Sequence, residues 1–395
     1  MSIATTPFAG ADLDEMIATR RDLHAHPEVG FEEVRTSGLV AQRLRALGLE
    51  PRTGVGRTGV LARVTGGKPG KTVLLRADMD ALPIQEENDV PYRSKNAGKM
   101  HACGHDCHTS ILLGVAKRLV AGAKEQKGDV VLCFQPAEEL GGPKGGAEAM
   151  IQDGALDWAK ADAAFGLHVW QDLDLGKVLI TPGPFMAAVD EFTVTVTGKG
   201  AHAAQPQMGR DPVLCLAHLV TALQSIASRE TDPLKEVVVS VTQFHAGSAF
   251  NIIPETAWIN GTCRMFDTEI WEEMPERFER VVQGVADAYG CKATLDFNRH
   301  NRPTVNDPAM TRLARAAAVE VVGEANIVDG GRTMGGEDFS SFLHKVPGCF
   351  IAIGSRNTAK NLVYGHHHPK FDVDEACLEI GAEVLLRTMR RYLAS

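Results

Sequence analysis

The chain has 395 residues, 41 Lys plus Arg against 50 Asp plus Glu, a formal net charge of -9 and 44% hydrophobic residues. This is the composition of a folded globular protein, which excludes a disordered or fibrous chain, and the length suggests two domains or one domain carrying a large insertion. The acidic balance argues against nucleic acid or an anionic membrane as the main partner, and no apolar run reaches the length of a membrane span.

The opening MSIATTPFAGADLDE has neither a basic start nor a continuous apolar stretch, so it does not read as a secretory signal. Residues 13–49 read as two helices: Leu39, Val40, Leu44 and Leu47 recur at helical spacing, Gly48 supplies a stop, and Pro27 and Gly30 turn the segment between them. Residues 60–64 and 72–76 read as strands joined by a turn through Gly66, Gly67, Pro69 and Gly70. Residues 100–109, M-H-A-C-G-H-D-C-H-T, then bring three histidines, two cysteines and an aspartate together. A hydrophobic core rarely needs that density. Thiolate, imidazole and carboxylate are the donors that suit zinc, manganese, nickel and cobalt, so the stretch reads as part of a metal site. In an extended conformation His101, Cys103 and His105 would share one side, with Ala102, Gly104 and Asp106 on the other.

Helix is expected over 111–120, strand over 130–134, helix over 146–151 and strand over 163–167, an alternation that implies a layered α/β domain. From about residue 189 the pattern becomes self-contained. Phe192, Val194 and Val196 alternate as a strand; helix follows over 212–226, strands over 237–241 and 257–263, a long helix over 269–289 and a last strand over 293–297. That β-α-β-β-α-β order is ferredoxin-like and of a length to be inserted into a host domain. Helix 307–322, strand 349–353 and helix 374–393 then rejoin the host. The expected organisation is therefore residues 1–187 and 303–395 as one α/β domain, interrupted by residues 188–302.

Four further segments carry chemistry. Q-P-A-E-E-L at 135–140 follows an apolar strand, so that of Glu138 and Glu139 one can ligate a metal while the other faces the water that metal activates. G-L-H-V-W places His168 after another apolar strand. Y-G-H-H-H-P-K-F-D at 364–372 offers three consecutive histidines, of which one or two could share a single ion. R-A-D-M-D-A-L-P at 76–83 sets Asp80 just past a strand, where it could accept a hydrogen bond from a ligand imidazole and fix its tautomer. G-V-G-R-T-G at 54–59 fits G-x-G-x-x-G, but the strand V-L-A-R-V follows instead of the helix a dinucleotide site needs. There is no G-x-S-x-G, no Walker loop and no H-E-x-x-H, and Cys103 and Cys107 are not spaced as a redox pair. Cys103, Cys107, Cys133, Cys215, Cys263, Cys291, Cys349 and Cys377 are spread singly, which suits reduced thiols and a cytoplasmic location.

Taken in order, R-A-D-M-D-A-L-P, M-H-A-C-G-H-D-x-H-T, Q-P-A-E-E, G-L-H-V and H-x-P-x-F-D resemble the aminoacylase and carboxypeptidase metallopeptidases of family M20, in particular the amidohydrolase branch with hippurate hydrolases and auxin-conjugate hydrolases. The resemblance runs from about Arg20 to the C-terminus. It implies a zinc-peptidase-like catalytic α/β domain holding two divalent ions (Mn2+, Zn2+, Ni2+ or Co2+), with a ferredoxin-like lid that also makes a homodimer. It implies Cys103 as a bridging ligand, His105, Glu139, His168 and His367 as the other ligands, and Glu138 as general base. His367 is chosen over His366 and His368 because it stands two before Pro369.

In the inserted domain, G-K-G-A-H-A-A-Q-P resembles the lid motif whose His202 would stabilise an oxyanion, while Asn251 in A-F-N-I-I-P and Arg264 in G-T-C-R match positions that bind the substrate carboxylate. G-G-E-D-F at 335–339 resembles a loop lining the site. The implied reaction is hydrolysis of a small-molecule N-acyl amino acid, hippurate-like or N-acetylated, to a carboxylic acid and an amino acid. The alternatives are a dipeptidase or N-acetyl-diaminopimelate deacetylase of the same family, or a non-catalytic dimeric metal-binding protein.

Overall fold

Val73, Leu74 and Leu75 are consecutive and all fully buried, the pattern of a strand covered on both faces rather than one with a wet side. In the computed structural model, which describes residues 8–395, the chain forms two compact units. The first runs to Phe185 and takes Val305–Arg332 and Asp338–Ser395; the second is Met186–Thr304 with Thr333–Glu337. Residues 1–7, with that part of the segment read as lacking a signal, lie outside the described residues.

The first unit opens with α1 (Ala11–Ala25) and α2 (Val34–Ala46), followed by β1 (Arg52–Val55), β2 (Gly59–Val64) and β3 (Lys68–Asp78). Then come α3 (His105–Gly122), β4 (Lys127–Gln135), α4 (Gly146–Gln152), α5 (Ala155–Ala159), β5 (Ala163–Asp174), β6 (Val178–Ile180) and β7 (Gly183–Met186), at whose end the chain enters the second unit. It returns through β14 (Thr304–Asn306) to α8 (Pro308–Val322), β15 (Ile327–Asp329), α9 (Ser340–Leu343), β16 (Gly348–Arg356) and α10 (Ala376–Ala394). Eight strands make one sheet in the order β1-β2-β4-β3-β5-β16-β6-β15. Its centre, β4, β3, β5 and β16, is parallel throughout. Phe134, Phe165, Leu167 and Ile351 from these strands join Ile111 of α3 and Leu385 of α10 in one core.

Two local expectations change. The Gly66–Gly70 segment is no hairpin turn: β4 lies between β2 and β3, and Pro69 and Gly70 fall inside β3, in an exposed and irregular start whose pairing shifts between Lys68 and Thr72. A proline and a glycine are tolerated there because a strand start can spare a ladder donor. Second, β5 continues to Asp174, so His168 lies within a strand rather than after it.

The second unit contains β8 (Ala188–Thr197), β9 (Ala201–His202), α6 (Pro212–Arg229), β10 (Val237–Ala246), β11 (Ile252–Ile253), β12 (Thr256–Met265), α7 (Thr268–Ala288) and β13 (Lys292–Asn301). Its four-stranded sheet has the order β10-β12-β8-β13 with every pair antiparallel, the ferredoxin-like arrangement. Along β8, Phe192, Val194 and Val196 alternate inward against Phe278 of α7 and Leu219 of α6. Asp211 and Asp267 cap the two helices through their carboxylates, which accept from Val213 N–H and Ile270 N–H. Among the described residues, no helix is long and apolar enough to cross a membrane, and all eight cysteines are buried and unpaired.

Candidate metal centre

Loops leaving the carboxyl ends of parallel strands are where open α/β sheets place their ligands, and the polar segments of the first unit gather there. Gly166 of β5 pairs with Arg76 of β3, so His168 stands level with Asp78 at the end of β3. Gly104 adopts φ 101, and a Cβ at that position would lie 2.3 Å from Val169 Cγ2. Only glycine allows this turn. The chain therefore reverses immediately after Cys103, and His105 becomes the first residue of α3. The extended alternation expected for residues 101–106 is broken at this point. Cys103 and His105 stay together, whereas His101 is buried elsewhere, its ring 6.4 Å from His24 and both its nitrogens without a hydrogen-bond partner.

The hydrogen bonds to each imidazole decide which nitrogen is available. His105 Nδ1 faces two acceptors, Asp80 O at 2.9 Å and Asp80 Oδ1 at 3.1 Å, so it carries the proton. Its Nε2 is buried, has no hydrogen-bond partner and is left as a lone-pair donor. His168 repeats the arrangement: Nδ1 lies 2.5 Å from Val169 O and Nε2 lies 3.4 Å from Cys103 Sγ. His108 is fully used, with Nδ1 on Asp78 Oδ1 at 2.6 Å and Nε2 accepting from Val169 N–H at 2.9 Å. In the triple-histidine segment, His366 Nε2 accepts from Gln171 N–H and His368 Nδ1 from Lys370 N–H. His367, whose N–H donates to Ala102 O at 2.7 Å, sends Nε2 to within 3.4 Å of Glu139 Oε1.

Two of these positions hold strained backbone. His367 has φ 65 and Ala137, just before the glutamate pair, has φ 49; side chains other than glycine rarely sit there, and such outliers concentrate at functional sites. The turn at Ala137 directs Glu138 and Glu139 differently. Glu139 N–H donates to Asp80 Oδ2 at 3.0 Å, while Glu138 Oε2 lies 3.9 Å from His105 Nε2 and Glu138 Oε1 accepts from Asp338 N–H at 3.4 Å. Asp80 thus braces both His105 and Glu139.

The donors form two overlapping clusters, Cys103 with His105 and His168, and Cys103 with Glu139 and His367; within each, the donor atoms lie within 4.8 Å of one another. Without a cation the electrostatics are unfavourable to a thiolate: burial, reinforced by the Glu139 carboxylate, pushes the Cys103 thiol well above its usual range. Burial also lowers His168 far below its ordinary value, helped by the neighbouring His108. A bare buried imidazole and a thiol beside a carboxylate are the donor set of a soft-to-borderline divalent ion, whose charge would invert the thiol's preference. These residues fit a metal.

A frame that the sequence did not announce lies beneath. Arg76 is fully buried and donates through Nη1 to Asp78 Oδ2 at 2.5 Å, through Nε to Gln135 Oε1 at 2.8 Å and through Nη2 to Asp338 Oδ1 at 2.9 Å. The available signal was a charged residue inside the apolar run V-L-L-R-A-D, where an unpaired charge would be intolerable.

His202, Asn251 and Arg264 belong to the second unit. There Ile252 pairs with His202, and Ala203 N–H donates to Asn251 O at 3.0 Å, which makes His202 and Asn251 neighbours. Arg264 is half-buried on β12 between Val189 and Val238 of the flanking strands. Burial lowers its affinity for its proton, against the charge of nearby Asp190.

Comparison with known proteins places this geometry in context. The family model described as peptidase family M20/M25/M40 matches residues 74–391. The IAA-amino acid hydrolase ILR1-like 4 of Arabidopsis thaliana is 42% identical over 385 residues, covering 96% of this chain and 86% of the relative. The N-acetyl-L-cysteine deacetylase of Bacillus subtilis is 40% identical over 381 residues, covering 96% and 89%. A crystal structure from Bacillus subtilis, described as a dinuclear metal-binding peptidase from the M20 family, superposes with a TM-score of 0.85 at 34% identity, covering 98% of this chain and 99% of that one.

Proposed function

We propose that this chain, which belongs to peptidase family M20/M25/M40, hydrolyses the amide bond of N-acyl amino acids to a carboxylic acid and a free amino acid. The observation that carries the reading is the pair of donor clusters sharing Cys103. One cluster (Cys103, His105, His168) and the other (Cys103, Glu139, His367) would each hold a divalent ion, Cys103 being the donor common to both; manganese, zinc, nickel and cobalt all accept such donors. When bound, the ions lower the pKa of a water and polarise the scissile carbonyl.

The remaining work falls to side chains. Glu138, 8% exposed and adjacent to both clusters, takes the proton of the attacking water and returns it to the departing amine nitrogen. Asp80 keeps His105 in the tautomer that leaves Nε2 bare. In the second unit, Arg264 and Asn251 hold the carboxylate of the substrate, the guanidinium offering a forked pair of donors, and His202 donates to the developing oxyanion. Two relatives support the substrate class by their names, one for hydrolysing IAA-amino acids and one for deacetylating N-acetyl-L-cysteine. A homodimer through residues 188–302 belongs to the same proposal. Its support is that β10 is an edge strand of its sheet with Val238 and Phe244 exposed, and that Leu214 on α6 is exposed as well; sedimentation of the purified chain as a monomer would remove it.

The reaction is tested by turnover on hippurate, N-acetyl amino acids, dipeptides and N-acetyl-diaminopimelate, using metal-depleted protein reloaded with manganese, zinc, nickel or cobalt. Amine release from an N-acyl amino acid with at least one metal is expected. No release from any of them sinks the reading, and preference for dipeptides would move it to a dipeptidase.

A further inference from the structure

Arg20 of α1 is fully buried, and its neighbour Arg21 is exposed. Its guanidinium serves three carboxylates: Nε donates to Asp106 Oδ2 at 2.8 Å, Nη2 to Asp372 Oδ1 at 2.6 Å and Nη1 to Glu375 Oε1 at 3.3 Å. His24, one turn further along α1, lies with Nδ1 2.8 Å from the same Asp106 Oδ2 and Nε2 3.2 Å from Glu86 Oε1. Tyr92 O–H donates to Asp372 Oδ2 at 2.7 Å and offers its ring to the guanidinium at 4.9 Å.

The partners are what give this cluster meaning. Asp106 follows His105 in the first turn of α3, and Asp372 closes the segment that begins with His366 and His367. One planar fork therefore ties together the two chain segments that bring His105 and His367 to the candidate metal centre. The tie bears on the His367 segment because it is loop and its backbone is left-handed at His367; Phe371 anchors its far end in the core, but around His367 itself the chain is held by single hydrogen bonds such as His367 N–H to Ala102 O at 2.7 Å and Glu87 N–H to Pro369 O at 2.9 Å. Stability alone does not account for the residue type. A buried ion pair loses so much solvation that apolar packing of similar volume commonly serves as well or better. What the guanidinium adds is fixed angles between donors, which lysine lacks, and a metal site must be held to a fraction of an ångström.

We propose that Arg20 is a positioning residue of the metal centre, setting the spacing between the His105 and His367 segments through Asp106 and Asp372, so that α1 is part of the site although it supplies no ligand. The inference rests on the reading of the Cys103 clusters as a two-ion centre.

Cobalt reports both parts separately. The full chain, depleted of metal, is titrated with Co2+, following the d–d and thiolate-to-cobalt absorption and counting bound ions by elemental analysis. Wild-type protein failing to take up two ions would overturn the two-ion reading itself, irrespective of Arg20. Given two ions in the wild type, Arg20→Lys and Asp372→Asn are each expected to weaken at least one by tenfold or more and to alter the d–d bands, at a melting temperature that shows a folded chain. The double variant should lose no more affinity than the weaker single one, because both changes break one connection. Should the lysine chain not fold, Asp372→Asn is the deciding variant. If the folded variants bind two cobalt ions with wild-type affinity and spectrum, with only the melting temperature lowered, Arg20 is structural and the proposal fails.

Discussion

Cys103 Sγ lies 3.4 Å from His168 Nε2, although the two residues are far apart in the chain. The sulfur is also the one donor common to both clusters. Cys103→Ala should therefore impair both ions together, leaving each cluster with two protein donors. Metal content after dialysis is expected to fall below one ion per chain, and activity by more than about a hundredfold, beyond the range seen when only an outer hydrogen bond is lost. Two ions retained in the variant would show that the thiol is not a shared ligand.

Glu138→Gln keeps the shape of the side chain and removes its basicity. Turnover should drop by about a hundred- to ten-thousandfold, the usual contribution of a positioned acid or base, with bound metal unchanged by elemental analysis. Normal turnover would reassign the base.

Gly104→Ala tests the reversal between Cys103 and His105. The new Cβ meets Val169 Cγ2 at 2.3 Å and the backbone has φ 101, so left-handed strain and overpacking act together. A loss of about 2–5 kcal/mol in urea unfolding is expected, accompanied by weaker metal uptake. An unchanged midpoint would contradict the geometry of this turn.

Asp190 of β8 is buried, its Oδ1 accepts from Trp271 Nε1–H at 3.1 Å, and burial raises its carboxyl from 3.8 to about 6. Between those values the folded chain holds a proton that the unfolded chain has released, so stability falls as pH rises through that window and levels off above about 6. The size is on the order of 3 kcal/mol. Calorimetry of the wild type should show this slope and Asp190→Asn should flatten it; equal slopes would assign the effect to other groups.

Much of the candidate site can be read in the sequence because its candidate donors sit beside recognisable punctuation. Cys103 and His105 share one dense run, Glu139 and His168 follow or lie in apolar strands, and these patterns survive translation into structure. Three consecutive histidines, by contrast, are indistinguishable by residue type; Gln171 N–H on His366 Nε2 and the left-handed backbone at His367 separate them. The same is true of Arg20 and Arg21, adjacent and chemically identical, one buried among carboxylates and the other facing water. Residues 101–106 depart from extended alternation for a different reason: Gly104 turns the chain into a helix that begins at His105. In the second unit the strand and helix periods were strong enough to give the ferredoxin-like order, while its short strands β9 and β11, of two residues each, carry too little pattern to be seen.

The two donor clusters also differ in when they can exist. Cys103, His105 and His168 all precede the second unit in the chain, whereas His367 comes after it. During synthesis the first cluster can be complete while the inserted unit is still being made, but the second must await nearly the whole polypeptide. A metal held by His367 would therefore act as a late cross-link, closing a long loop only once the inserted unit has been made and the returning segment has docked.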